Sequence, residues 1–253
     1  MTGEYPAVRV AASEAELARA AAAFTATALR SAVARTGAAR VVMATGNSQL
    51  AFVRRLAAEE IPWSAVTVFH MDEYIGIGPD HPASFRRWIR DHVAAPFRPR
   101  AVHYIDGDAI AADECDRYEH LLRAAPIDLT CMGIGENGHL AFNEPHDADF
   151  DDDRWVRQVT LTDASIAQQV GEGHFATADD VPRSAISLTI PALLAASRVQ
   201  VVVPEARKAH AVRDSLTADI SPACPATILR RAAHATLFLD PDSAGLVDLG
   251  NRR

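Results

Sequence analysis

Two stretches of this chain carry side chains that can move protons at the end of an apolar run. In the first, Ile127-Asp128-Leu129-Thr130-Cys131-Met132 stops at Gly133-Ile134-Gly135-Glu136-Asn137-Gly138-His139, and Phe142-Asn143-Glu144-Pro145 follows. Closely spaced glycines permit tight turns that press backbone against a ligand. His139 is the natural proton carrier near neutral pH, and Glu144 could orient it as an acid orients the histidine of a hydrolase triad. In the second, Val66-Thr67-Val68-Phe69-His70-Met71 ends in Asp72-Glu73-Tyr74. A carboxylate at a buried strand end can have its pKa tuned for base work; the purely structural alternative is a carboxylate that caps a nearby loop. Two strand ends carrying ionisable groups imply one active site at the carboxyl edge of an α/β sheet.

Two further segments could hold an anion. Thr45-Gly46-Asn47-Ser48 lies between an apolar strand and a helical stretch. Its glycine allows close backbone approach, its hydroxyls can donate, and the start of the following helix favours negative charge. It is neither a dinucleotide fingerprint nor a P-loop, and a plain turn accounts for it equally well. In Val203-Pro204-Glu205-Ala206-Arg207-Lys208 two cations stand where a helix begins. Cations there oppose the helix dipole, so a bound anion would explain them; solvated surface cations are the alternative.

The elements that must position these residues are legible as alternating apolar strands and helices. Strands are expected at Val8–Ala12, Arg40–Ala44, Val66–Met71, Val102–Ile105, Asp128–Met132, Ala185–Thr189, Val199–Val203 and Ala235–Leu239. Nearly continuous apolar runs suit strands covered on both faces of a parallel sheet. Helices are expected over Glu14–Arg35, with a Ser13/Glu16 capping box, and over Gln49–Glu60, Ala83–His92, Ala111–Ala124, Ala206–Leu216 and Pro225–Arg231. The alternation predicts an α/β fold: a single doubly wound domain over residues 1–253, with a mostly parallel sheet flanked by helices. The stretch 145–182 is polar, reads as irregular, and is a candidate flap, because long loops in compact domains are often functional.

Composition narrows the function. The chain has 253 residues, 49% of them hydrophobic, which suits one sizeable α/β domain. A net charge of −8 and the lack of a long basic block argue against a nucleic-acid partner. No apolar run approaches the ~20 residues of a membrane span. Cys115, Cys131 and Cys224 share no metal-ligand spacing and fit a reducing, cytoplasmic setting. Met1-Thr2-Gly3-Glu4-Tyr5-Pro6 has neither a basic nor an apolar region of a signal peptide. The acidic run Asp147–Asp153 reads as a solvated loop.

Taken together, Met71-Asp72-Glu73-Tyr74 with His81-Pro82, and Gly135-Glu136-Asn137-Gly138-His139-Leu140-Ala141-Phe142-Asn143-Glu144-Pro145, resemble the glucosamine-6-phosphate deaminase/isomerase family, in the superfamily shared with 6-phosphogluconolactonases. The resemblance runs from about Val41 to Asp240. Lactonases differ at both places, with Asp-Glu-Arg for Asp-Glu-Tyr and Ser-Leu-Phe-Pro where this chain has Phe142-Asn143-Glu144-Pro145. It implies that Asp72 moves a proton between C2 and C1 of an open-chain amino sugar. His139 would assist ring opening, Asn137 and Glu144 would hold His139, and Thr45, Gly46, Asn47, Ser48 and Lys208 would bind phosphate. No cofactor and no metal are implied. The expected partner is a small phosphosugar, and oligomeric assembly stays open. Because ammonia leaves by hydrolysis of an imine, a hydrolase class is also expected. The alternatives are a galactosamine-6-phosphate deaminase/isomerase, a 6-phosphogluconolactonase, and a non-catalytic sugar-phosphate sensor.

Two departures from the family stand out. Well-known members carry a phosphate-binding arginine after the Asn-Glu-Pro segment, and Asp163–His174 contains none. Regulated bacterial members also have basic and hydroxyl residues for an activating sugar phosphate where this chain has His146-Asp147-Ala148-Asp149-Phe150-Asp151-Asp152-Asp153, a poor phosphate site.

Overall fold

In a computed structural model the described residues are 7–248. Met1–Pro6, where the sequence predicts no signal peptide, lies outside them. The strands are β1 (Ala7–Val10), β2 (Ala39–Met43), β3 (Val66–His70), β4 (Asp72–Tyr74), β5 (Ala101–His103), β6 (Leu129–Met132), β7 (Val156–Thr160), β8 (Ser184–Leu188), β9 (Arg198–Val203) and β10 (Ala235–Leu239). The α-helices are α1 (Glu14–Thr36), α2 (Leu50–Leu56), α3 (Phe85–Ile89), α4 (Ala95–Phe97), α5 (Ala111–Arg123), α6 (Asp163–Gly171), α7 (Ile190–Leu194) and α8 (Ala209–Thr217).

Seven strands form one parallel sheet in the order β1-β10-β9-β6-β2-β3-β5. Chain progress runs outward from β2 through β3 to β5 on one side, and from β6 through β9 to β10 on the other. The crossovers therefore diverge between β2 and β6, and a crevice opens beyond their carboxyl ends. Side chains alternate across the sheet. Val41, Met43, Val66 and Val68 face the layer that holds α1 and α2, while Val42, Phe69, Met132 and Val201 join Cys115, Tyr118 and Leu122 of α5. This is the doubly wound, mostly parallel α/β fold expected from the sequence. Among the described residues no helix is long and apolar enough to cross a membrane.

Helix α1 starts as its cap residues dictate. Ser13 Oγ accepts from the Glu16 amide at 3.3 Å, and Glu16 reaches back to the Ala12 amide rather than to that of the cap itself. Gly37, at φ 78°, closes the helix in the left-handed region that glycine tolerates.

The stretch 145–182 is not irregular. It contains β7 and α6, and β7 pairs antiparallel with β8, which pairs with β4 in a second, three-stranded sheet. Strand β8, expected near Ala185–Thr189, therefore does not belong to the large sheet: a short apolar run reads the same in either sheet. The small sheet has its own core of Tyr74, Phe85, Phe142, Phe175 and Ala185. Two of the acidic residues, Asp147 and Asp152, each lie 3.4 Å from the guanidinium of Arg157 on β7, so that loop is partly tied down rather than wholly solvated.

Strand β4 separates the fates of its two carboxylates. Glu73 turns onto the first turn of α3 and accepts from Ser84 Oγ (2.8 Å) and the amides of Tyr74 (2.9 Å), Phe85 (3.1 Å) and Arg86 (2.7 Å). It is the capping carboxylate that the structural alternative described. Asp72, one residue earlier, points to the opposite side of the strand. Glu73→Ala would leave several buried donors without an acceptor and should destabilise the protein by roughly 2–4 kcal/mol. Urea unfolding checks this, and an unchanged midpoint would remove Glu73 from the anchoring of α3.

Candidate active site

Four strand ends deliver the candidate residues to one cavity of about 100 Å³ at the carboxyl edge of the large sheet. The β2 end supplies Thr45, Gly46, Asn47 and Ser48; the β3 end supplies Asp72; the β6 end supplies Gly133, Gly135 and His139; and the β9 end supplies Lys208. Gly46 has φ 95° and ψ 168°, a conformation essentially restricted to glycine. A side chain at Gly135 would lie within 2.2–2.4 Å of the His139 ring, so the imidazole rests directly on that backbone.

The imidazole is held from behind. His139 Nδ1 lies 2.8 Å from Asn137 Oδ1, which also accepts from the His139 amide at 3.1 Å. Asn137 Nδ2 in turn donates to Glu144 Oε2 at 2.8 Å. Because the amide nitrogen is committed to the carboxylate, Asn137 presents oxygen to the ring. Nδ1 must then carry the proton, which leaves Nε2 as the acceptor. Glu144 is fully buried; it accepts from Thr162 Oγ1 at 3.4 Å and in a short bond from Ser165 Oγ, and lies 3.5 Å from His139 Nδ1. Orientation of His139 therefore runs chiefly through Asn137, with Glu144 behind it; the residues alone suggested Glu144, and the family resemblance implied both. Burial is the main influence on His139 and lowers its pKa against the opposing charge of Glu144, so the ring is neutral near pH 7.

Asp72 is 7% exposed, and its carboxylate accepts no hydrogen bond among the described residues. Desolvation, with the neighbouring charge of Glu73, pushes its pKa up to about 8. His70, although close in sequence, is structural: its Nε2 accepts from the Ile105 amide at 2.7 Å, and burial drives its pKa down to about 3.

Lys208 is 4% exposed, yet among the described residues it has no ion pair within 4.0 Å and no hydrogen bond from its ammonium. Desolvation lowers its pKa, opposed by the charge of Glu172. Arg207 is engaged elsewhere, with Glu205, Glu172 and Glu136. Glu172 lines the cavity as well. Burial pushes its carboxyl up, but hydrogen bonds from His174 and Gln168 and the charges of Arg207 and Lys208 outweigh this and bring it down to about 2.

Every site residue expected from the sequence is thus in or behind this one cavity; Asn137 and Glu144 form its rear support and do not line it. Sequence reasoning missed Gln49, Gln168, Gln169, Glu172 and His174, which also line it. The one local signal for the α6 group was Thr162-Asp163 as a helix start: Thr162 Oγ1 does accept from the Ser165 amide at 3.1 Å.

Residues 12–238 match the family described as glucosamine-6-phosphate isomerases/6-phosphogluconolactonase. The chain belongs to that family. A glucosamine-6-phosphate deaminase of Exiguobacterium sibiricum is 36% identical over 81% of this chain and 80% of its own length. One of Lactobacillus delbrueckii subsp. bulgaricus is 32% identical over 83% and 88%. Among solved structures, a monomeric glucosamine-6-phosphate deaminase superposes with a TM-score of 0.87 at 27% identity, covering 95% of this chain and all of that one. A 6-phosphogluconolactonase from Shewanella baltica reaches 0.77 at 20% identity over 94% and 99%, a likeness of fold alone. The hydrolase class expected from the sequence is corrected here. The relatives are named as deaminases and the family as isomerases. The imine hydrolysis that suggested the term follows the proton transfer that defines such a reaction.

Two predictions follow from this geometry. Since kcat/KM reports free-enzyme ionisations, and a base must be ionised to act, kcat/KM should climb with pH along an acid limb near pH 8, once substrate titration is subtracted. Asp72→Asn should abolish turnover at every pH. A limb near pH 4 would mean that Asp72 is not the titrating group. Asn137→Asp would place a second negative charge beside Nδ1 and should raise the His139 pKa; an NMR titration of the His139 ring showing no upward shift would contradict the hydrogen-bond relay.

Proposed function

We propose that this protein is a glucosamine-6-phosphate deaminase, converting glucosamine 6-phosphate and water to fructose 6-phosphate and ammonia. One observation carries the reading: the buried ammonium of Lys208, unpaired among the described residues, and the carboxyl of Asp72, pushed up to about 8, open on one cavity with a neutral imidazole. That combination suits a phosphorylated substrate whose C2 proton must be moved. The naming of the relatives supports the same reading.

In this scheme the phosphate is taken by Lys208 and the Thr45–Ser48 loop. His139 Nε2 accepts the proton of the anomeric hydroxyl and returns one to the ring oxygen, which opens the sugar. Asp72 then removes the C2 proton while O1 takes a proton from the substrate's own ammonium, which forms an enolamine; Asp72 delivers its proton to C1, giving the ketose imine in its protonated form. Water adds to the imine carbon, and ammonia leaves. Positioned proton transfer of this kind contributes roughly 100- to 10,000-fold in rate. The stretch 145–182 serves as the flap, since Gln168, Gln169 and Glu172 close one wall of the cavity. The three free thiols fit a cytosolic setting.

Purified protein should release ammonia and fructose 6-phosphate in equal amounts from glucosamine 6-phosphate, and do so better than from galactosamine 6-phosphate. Hydrolysis of 6-phosphogluconolactone, with no ammonia released from glucosamine 6-phosphate, would overturn the assignment. A charge-assisted hydrogen bond contributes roughly 1.5–3 kcal/mol, and 1.4 kcal/mol is tenfold. Lys208→Ala should therefore raise KM by about 10- to 150-fold with a smaller effect on kcat. An unchanged KM would place the phosphate elsewhere.

A further inference from the structure

Gln169 is a polar residue on the buried face of α6, 7% exposed, and it lines the catalytic cavity. Its Oε1 is enclosed and has no hydrogen-bond partner, and its amide nitrogen makes no hydrogen bond among the described residues. Buried carboxamides without partners are rare, because each unpaired group costs free energy that water would have supplied. The neighbouring polar side chains of α6 are, by contrast, satisfied. Ser165 donates to Glu144, and Gln168 donates to Glu172 at 2.9 Å.

The position of Gln169 along α6 says what it would meet. Ser165 marks the His139 end of the cavity through Glu144. Glu172 marks the Lys208 end, since its backbone oxygen lies 3.4 Å from Asn47 Nδ2 and its charge acts on Lys208. The two are about 10 Å apart along the helix at 1.5 Å per residue, comparable to a hexose phosphate lying lengthwise. Gln169 shares the Ser165 face one turn on, between the two ends. A substrate with C1 and C2 at Asp72 and His139, and its phosphate at Lys208, would set its middle carbons beside it.

We propose that Gln169 is a specificity-determining residue that reads a hydroxyl at C3 or C4 of the sugar phosphate. This rests on the reading of the site as one for glucosamine 6-phosphate. A hydroxyl both donates and accepts, so it satisfies the carboxamide whichever end faces inward.

The test compares wild type with Gln169→Met and Gln169→Ala, on glucosamine 6-phosphate and its 3-deoxy and 4-deoxy analogues. Gln169→Met should lower kcat/KM on the full substrate by about 10- to 100-fold, the size expected for a lost hydrogen bond in a water-excluded site. Its thermal midpoint should hold or rise, because an unpaired buried amide is removed. On one of the two analogues, wild type and both variants should show the same kcat/KM. Wild-type kcat/KM in Gln169→Met, or losses that multiply on both analogues, would overturn the proposal. So would a fall in thermal midpoint in both variants with equal relative losses on all three substrates, which marks a structural glutamine. Failure of the functional reading itself looks different: wild type would then release no ammonia.

Discussion

The divergence of crossovers between β2 and β6 is the constraint on which the rest of the structure depends. In a doubly wound sheet, strands on either side of the switch point send their connections in opposite directions, and nothing fills the space beyond their carboxyl ends. The glycine loop after β2 and the glycine-rich loop after β6 border that crevice, and the ends of β3 and β9 flank it. Residues as far apart in sequence as Thr45, Asp72, His139 and Lys208 converge there because the parallel register brings four strand ends to one edge.

The cavity gathers groups that the protein leaves without partners. Among the described residues the carboxylate of Asp72, the ammonium of Lys208 and the carboxamide of Gln169 each lack a hydrogen bond although each is at least nine-tenths buried. A fold would ordinarily satisfy or exclude such groups. Around them the charges are carefully matched: Arg207 is held by three carboxylates, and Glu172 by His174, Gln168 and Arg207. The three unpaired groups, with Gln49 Oε1, cluster in the space a substrate would occupy, whereas other buried atoms without partners, such as His70 Nδ1, Thr130 Oγ1 and Gln200 Nε2, lie outside it; the cost is borne by the large apolar layers on both faces of the sheet.

The small antiparallel sheet and α6 explain how the imidazole keeps its orientation. The sheets are joined where Leu188 donates to the Met71 carbonyl at 2.8 Å, just ahead of Asp72. Phe142 donates to Ser187 Oγ at 3.1 Å, fixing the segment between His139 and Glu144. Thr162 and Ser165 at the start of α6 then hold Glu144, which holds Asn137, which holds His139. The wall of the cavity and the support of its proton carrier are therefore one continuous unit.

The large sheet, its flanking helices and the loops bearing Asp72, His139, the Thr45–Ser48 turn and Lys208 were legible in the sequence. Continuous apolar runs, cap residues and glycine spacing are local signals, and each strand end announces the loop that follows it. The two carboxylates Asp72 and Glu73 were not separable at that level. Only the packing of α3 against β4 turned one into a cap and left the other facing the cavity. The membership of β8 in a second sheet was likewise undecided, since a buried apolar strand has the same composition in either. Nor could the sequence place Gln49, Gln168, Gln169, Glu172 and His174 at the site. Gln49 closes the turn after β2 that already carries Ser48; for the other four, polar residues on and just after a short helix carry no sign of what they face, which depends on where α6 docks, and docking is set by the Phe142, Phe175 and Tyr74 core formed by segments distant in the chain.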